Sequence, residues 1–347
     1  LESSSLSSPT NRTHISMKIK NITINSLIIF FSTILALAIV ELFLRINGQG
    51  PWGNLDHTRN DPTINKPSST LGWEPKPGKY EFEPFSKNGK KFKINILEDG
   101  SRKVSFYKNN SKINEQIIFI GGSVTLGWGV NDDQTFVSQI QKKIKNYKIK
   151  NFSSGGYGTY QSFLRLEKIL KTDDKTKYVF LTYFPHHSIR NIGSEFWLRT
   201  LNKYSKRGYV SLPYASVSDD GNLTRKDPIT YIRIPFMDNL SISNKIAKRI
   251  MRLKLKDNEE NALKVTNVIF HDLKQMLDKK NIKLIVLDLA EKKGALDPFL
   301  GNFSENNIKV VNCNLKQGDN LIIKGDGHPN ELMHLLYSEC ILNKFNF

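Results

Sequence analysis

Apolar residues recur along this chain on three rhythms, and each predicts a different kind of element. From Ile22 to Leu44 they are almost continuous, with LIIFFSTILALAIV at the centre and no charge until Glu41. That length suits one bilayer crossing. Ala36-Leu37-Ala38 has the small-residue form of a signal-peptide cleavage site, but the apolar run continues to Leu44, so residues 22–44 are expected to be an uncleaved signal anchor. Residues 1–21 then form a disordered cytoplasmic N-terminus, rich in Ser and Thr up to Ser16 and carrying Lys18 and Lys20. With that basic flank inside, the rest of the chain is expected in the periplasm or cell exterior.

Beyond residue 114 short apolar runs alternate with helix-period stretches. Ile117–Ile120, Lys148–Ser153, Tyr178–Tyr183, Ile282–Leu289 and Ile308–Val311 are too short for helices and fit strands of a buried parallel sheet. Between and after them, Gln134–Tyr147 (Phe136, Val137, Ile140 and Ile144 on one face), Tyr160–Leu170, Asn258–Lys279 and Glu331–Leu342 carry helical spacing. The alternation predicts an α/β doubly wound, flavodoxin-like, mainly parallel sheet with helices on both faces over 115–347. Right-handed crossovers bring the carboxyl ends of its strands to one edge.

Two stretches follow neither rhythm. Residues 45–114 are punctuated by Gly and Pro, with a turn-rich Leu71–Gly78, an alternating strand Lys91–Ile96 and a turn at Asp99-Gly100. They are expected to form an extracytoplasmic preamble that packs on the 115–347 domain and covers the sheet edge. Residues 184–252, and 190–252 in particular, read as an aromatic and basic insertion with Phe196, Trp197, Tyr204, Tyr209, Tyr214, Tyr231 and Phe236. It reads either as a binding lid or as a satellite core.

The 347 residues carry a formal charge of +18, which admits membrane surfaces or acidic polymers as partners. The Lys residues are scattered, and no nucleic-acid motif accompanies them, so nucleic acid is not an expected partner. The two cysteines, Cys313 and Cys340, either pair in an oxidising compartment or remain buried thiols. No Walker loop, dinucleotide fingerprint or metal-ligand spacing is present; His186-His187 alone lacks further ligands, and no cofactor or metal is expected.

Candidate chemistry lies at three blocks. In Ile117–Val130, IIFIGGSVTLGWGV, glycines break a strand and leave Ser123 at its carboxyl end as a candidate nucleophile. Asp326-Gly327-His328-Pro329-Asn330 precedes the last helix. His328 is the candidate base, Asp326 the group that orients it, and Asn330 a helix cap. Arg102 is a candidate contact for substrate anions, with a surface ion pair as its alternative.

With Asn151–Gln161, NFSSGGYGTYQ, in view, the chain resembles the SGNH (GDSL-type) hydrolase superfamily over about residues 115–345, as a membrane-anchored bacterial member. The resemblance implies a Ser123-His328-Asp326 triad and an oxyanion hole from the backbone N–H groups of Ser123 and Gly156. The usual asparagine block is missing. His186 stands at its place in Phe184–Asn191, with Asn191 as the fallback, and Gly122 replaces the usual aspartate before the serine. A histidine donor would bring a pH dependence that asparagine lacks. The implied function is a serine esterase acting on O-acyl, chiefly acetyl, esters of a carbohydrate or polysaccharide. An acyltransferase, a lipid-directed esterase and an inactive glycan-binding scaffold are the alternatives.

Overall fold

The structure, a computed structural model, describes residues 9–53, 61–107, 113–204, 210–291 and 293–347. Of the N-terminus expected to be disordered, residues 1–8 lie outside the described residues, as do Tyr209 and the Tyr204 side chain, whereas residues 9–21 are helical. Internal contacts divide the chain into two units, residues 1–54 with 232–250 and residues 55–231 with 251–347. The first contains α1 (Pro9–Ile46). Within it, Lys20–Ile46 is 27 residues long with a mean hydropathy of 2.7 and is wholly unburied, long and apolar enough to cross a membrane.

The larger unit begins with two small antiparallel pairs, β1 (Asn65–Ser68) with β2 (Gly72–Pro75), and β3 (Gly78–Phe82) with β4 (Phe92–Ile96). A five-stranded parallel sheet follows from β5 (Gln116–Ile120), β6 (Lys148–Asn151), β7 (Thr176–Tyr183), β10 (Lys283–Asp288) and β11 (Lys309–Asn312). Its spatial order is β11-β10-β7-β5-β6. A separate hairpin holds β8 (Leu212–Val217) and β9 (Leu223–Ile229). The strand order reverses at β5, so the carboxyl ends of β5 and β7 border the crevice where ligands bind in open α/β sheets.

Alternate residues of the central strands enter different cores, the pattern of a sheet covered on both faces. Ile118, Ile120, Val179, Leu181 and Val286 pack with α4 (Thr159–Ile169) and α8 (Glu259–Asp278) through Phe163, Leu166, Ile269 and Phe270. Ile117, Phe119, Phe180, Ile285 and Leu287 pack with α3 (Phe136–Lys143) and α10 (Glu331–Lys344) through Val137, Ile140, Met333 and Ile341. The helix expected from Gln134 is shorter because Thr135 caps it, its Oγ1 accepting the Ser138 N–H at 3.1 Å, and because Ile144 turns extended.

The insertion acquires structure that its sequence did not announce. It forms α5 (His186–Asn191), α6 (Glu195–Tyr204), the β8-β9 hairpin and α7 (Ser241–Leu255). Part of it is a satellite core, since Tyr231 is buried and donates its hydroxyl to Glu195 Oε1 at 2.9 Å. Cys313 and Cys340, just past β11 and within α10, are joined by a disulfide.

Candidate active site

β5 delivers its chain into Gly121-Gly122 and then into the single turn α2 (Ser123–Leu126), which begins on the serine. The opposite wall is the loop Leu321–Asn330. It is tied by the Ile323 N–H donating to His328 O at 2.8 Å and the Asn330 N–H donating to Leu321 O at 3.0 Å. Asn330 also caps α10, its Oδ1 accepting the Leu332 and Met333 N–H groups, both at 3.1 Å.

These two anchored segments bring Ser123, His328 and Asp326 together across 205 residues of sequence. His328 Nε2 lies 2.8 Å from Ser123 Oγ, and His328 Nδ1 lies 2.5 Å from Asp326 Oδ2, which also accepts the His328 backbone N–H at 3.2 Å. Burial alone would raise the Asp326 pKa, but hydrogen bonding to His328, with help from Trp128, outweighs it and holds the carboxyl below its ordinary value. An ionised carboxylate on Nδ1 keeps that nitrogen protonated and leaves Nε2 as the acceptor for the serine proton. Trp128, inside the glycine-rich stretch, was not singled out from sequence.

Gly156 sits in the loop after β6 with φ of +81°, a left-handed conformation that side chains rarely adopt. A Cβ there would also come within 3.1 Å of Trp73 and 3.3 Å of Trp197. The preamble braces this loop. Trp73 Nε1 donates to Gly155 O at 3.0 Å, the Tyr157 hydroxyl donates to Trp73 O at 2.5 Å, and Gln161 Nε2 donates to Leu71 O at 2.8 Å.

Asn191, the fallback donor, has its side chain committed elsewhere. Its Oδ1 accepts the Tyr160 N–H and its Nδ2 donates to Thr266 Oγ1, both at 2.9 Å. His186 stacks on Phe184 with its ring accessible to solvent. The surrounding protein, then Arg190 and His328, nevertheless disfavour its charged form and push its pKa down. For an imidazole a lowered pKa means a neutral ring at neutral pH, which moves any donor pH dependence to the acid side of that range.

Two further residues stand behind the serine. A Cβ on Gly122 would lie 3.2 Å from His187 Nε2 and 3.8 Å from Arg190 Nη1, so the missing side chain leaves room for this pair. His187 is fully buried, and burial, then His186 and Arg190, hold it well below its ordinary pKa. Arg190 donates to Tyr157 O at 3.0 Å and lies 4.0 Å over the Trp197 ring. The sequence signal for Arg190 was only its place in the His186–Asn191 loop.

Arg102 is neither a substrate contact nor a surface group. It is 1% exposed, pairs with Asp132 at 3.0 Å, and donates to the carbonyls of Leu126, Gly127 and Val130 at 2.7, 2.5 and 2.7 Å. The chain after Ser123 turns away from helix and leaves those carbonyls to be satisfied, and a guanidinium carries enough donors for all three.

Beside Gly155 and Gly156 opens a cleft of about 660 Å³, with Trp73, Trp197, Ile64, Leu201 and Val210 among its walls.

No family model matches this chain, and no curated protein does. Solved structures do. A lipolytic protein of the G-D-S-L family from Veillonella parvula is 14% identical, covering 67% of this chain and 98% of that one with a TM-score of 0.38. The psychrotrophic esterase EstA from Pseudoalteromonas sp. is 11% identical over 67% and 96%, with a TM-score of 0.40. AlinE4, an SGNH-hydrolase family esterase, is 12% identical over 67% and 98%, with a TM-score of 0.33.

Proposed function

We propose that this chain is a membrane-anchored serine esterase of the SGNH type. The observation that carries the reading is the hydrogen-bonded series Ser123 Oγ, His328 Nε2, His328 Nδ1 and Asp326 Oδ2. In the proposed reaction His328 takes the Ser123 proton as Oγ attacks the ester carbonyl. The oxyanion is met by the N–H groups of Ser123 and Gly156, with neutral His186 as third donor. His328 then protonates the leaving alcohol, and water resolves the acyl-enzyme with the same base.

The substrate we propose is an O-acyl, chiefly acetyl, ester of a carbohydrate or polysaccharide. The aromatic walls of the cleft beside Gly156 support it, because sugar rings pack on aromatic faces. The apolar share of that cleft favours a second reading, a lipid-directed esterase that houses an acyl chain there. We assign residues 45–114 to the preamble of the 115–347 catalytic domain on the contacts of Trp73 and Leu71 with the Gly156 loop, and α1 to a single membrane span. The disulfide and the basic flank of α1 support a periplasmic or extracellular catalytic domain.

The test is turnover of p-nitrophenyl esters of increasing chain length by the full chain in detergent, beside Ser123→Ala and His328→Ala. Acetate turnover that falls by about 10³-fold or more in both variants is expected for a triad. A rate that rises with chain length would instead select the lipid-directed reading. A wild-type rate no higher than that of the folded variants would contradict ester hydrolysis.

A further inference from the structure

The smaller unit contains most of a helix, α7, that leaves an apolar stripe exposed. α7, SISNKIAKRIMRLKL, has five basic residues and no acidic one. Its buried residues Ala247, Met251 and Leu255 recur every four positions and mark the face turned to the protein. A second apolar stripe, Ile242, Ile246, Ile250 and Leu253, follows a 4-4-3 spacing on the other side. Ile246, Ile250 and Leu253 are 48, 40 and 64% exposed. Lys245 and Arg249 flank this stripe on one side and Lys254 on the other, while Arg252 pairs with buried Glu195, its Nε 3.6 Å from Oε2. A helix bathed only in water would carry polar residues there, whereas a helix lying in a lipid–water interface carries this pattern, apolar in the middle and basic at the margins.

What covers the stripe is indicated by where α7 begins. Glu41, near the end of the membrane-length helix α1, accepts the backbone N–H groups of Ser241 and Ile242 at 2.8 and 3.0 Å. Arg45 donates to Asn239 O at 2.7 Å, Lys245 to Gln49 Oε1 at 2.6 Å, and Asn244 to Gly50 O at 2.9 Å. The first turn of α7 is thereby tied to the carboxyl end of α1. Phe236, 72% exposed in a left-handed turn, and exposed Leu240 lie just ahead of it. We propose that α7 lies on the bilayer as an interfacial helix, with Ile246, Ile250 and Leu253 in the acyl region and the flanking Lys and Arg on anionic lipid headgroups. The proposal rests on the reading of α1 as a membrane span and adds a second, planar contact with the same membrane.

The test uses the full chain in vesicles of three parts phosphatidylcholine to one part phosphatidylglycerol. Cys313 and Cys340 are disulfide-bonded, so under non-reducing conditions Ile246→Cys, Ile250→Cys and, as a control on the exposed hairpin tip, Asp220→Cys each offer one thiol for an environment-sensitive fluorophore. Quenching by lipids brominated on their acyl chains is expected at 246 and 250 and not at 220. It should weaken when Lys245, Arg249 and Lys254 are changed together to Glu. Quenching at both helix positions no greater than at 220, in a chain that resists alkaline carbonate extraction, would overturn the proposal while leaving the anchor standing. Extraction of the chain by carbonate would overturn the anchor, and the proposal with it.

Discussion

Gly156 is the residue on which the proposed oxyanion hole depends most narrowly. Its positive φ disfavours any side chain, a methyl group would have to push the Trp73 and Trp197 rings aside by a few tenths of an ångström, and its loop is held through Gly155 and Tyr157. Gly156→Ala should therefore displace one proposed oxyanion donor while leaving the triad in place. The expected result is a fall in kcat of about 10²–10³ with little change in KM, measured on the ester that the wild type turns over best. A kcat within about twofold of wild type would remove Gly156 from the hole. Ser123, His328 and Asp326 were legible in sequence because each sits in a glycine-broken block whose spacing is itself informative. Asn191 and Arg102 were not legible in the same way. An asparagine in a loop and an arginine after a turn look alike whether they meet substrate or backbone, and only the partners of their polar atoms decide it.

At the scale of elements, α2 is a single turn and cannot hold Ser123 in place through its own hydrogen bonds. The Arg102 guanidinium does so by gathering the carbonyls of Leu126, Gly127 and Val130 and pairing with the buried Asp132. Removing one partner of a buried pair leaves the other charge uncompensated, so Arg102→Ala should cost about 3–5 kcal/mol of stability, read from a denaturant midpoint of the full chain in detergent. A loss below about 1 kcal/mol would mean that water reaches the site and replaces the guanidinium. The sheet strands and the long helices could be placed from sequence because burial on two faces or on one leaves a period. The insertion could not. α6 is amphipathic, but its aromatic and basic residues did not stand out amid the irregular spacing of the insertion, and in α7 two separate apolar stripes share one helix.

At the scale of the whole molecule, His187 and His334 are, among the described residues, fully buried histidines held neutral. His187 is held well below its ordinary pKa, and His334 is pushed down to about 3 by burial, then by Arg102 and His328. The unfolded chain takes up these protons near pH 6.5, whereas the folded chain does so only at a lower pH. Stability should thus be full above about pH 6.5 and fall as the pH drops below it, by up to ~1.4 kcal/mol per pH unit for each histidine. Asp326, with its pKa lowered, adds to the loss only at still lower pH, below the ordinary carboxylate range. Thermal midpoints over this range should show the decline, and His334→Asn, which preserves an acceptor for the Phe136 N–H, should make it shallower. An unchanged slope in that variant would show that His334 is protonated in the folded chain. The central claim, that Ser123 is an activated nucleophile served by His328, is tested most directly by intact mass and peptide mapping after exposure to a fluorophosphonate. One adduct on Ser123, absent from Ser123→Ala and much slower to form in His328→Ala, is the expected result; an unmodified chain, or an adduct on another residue, would contradict it.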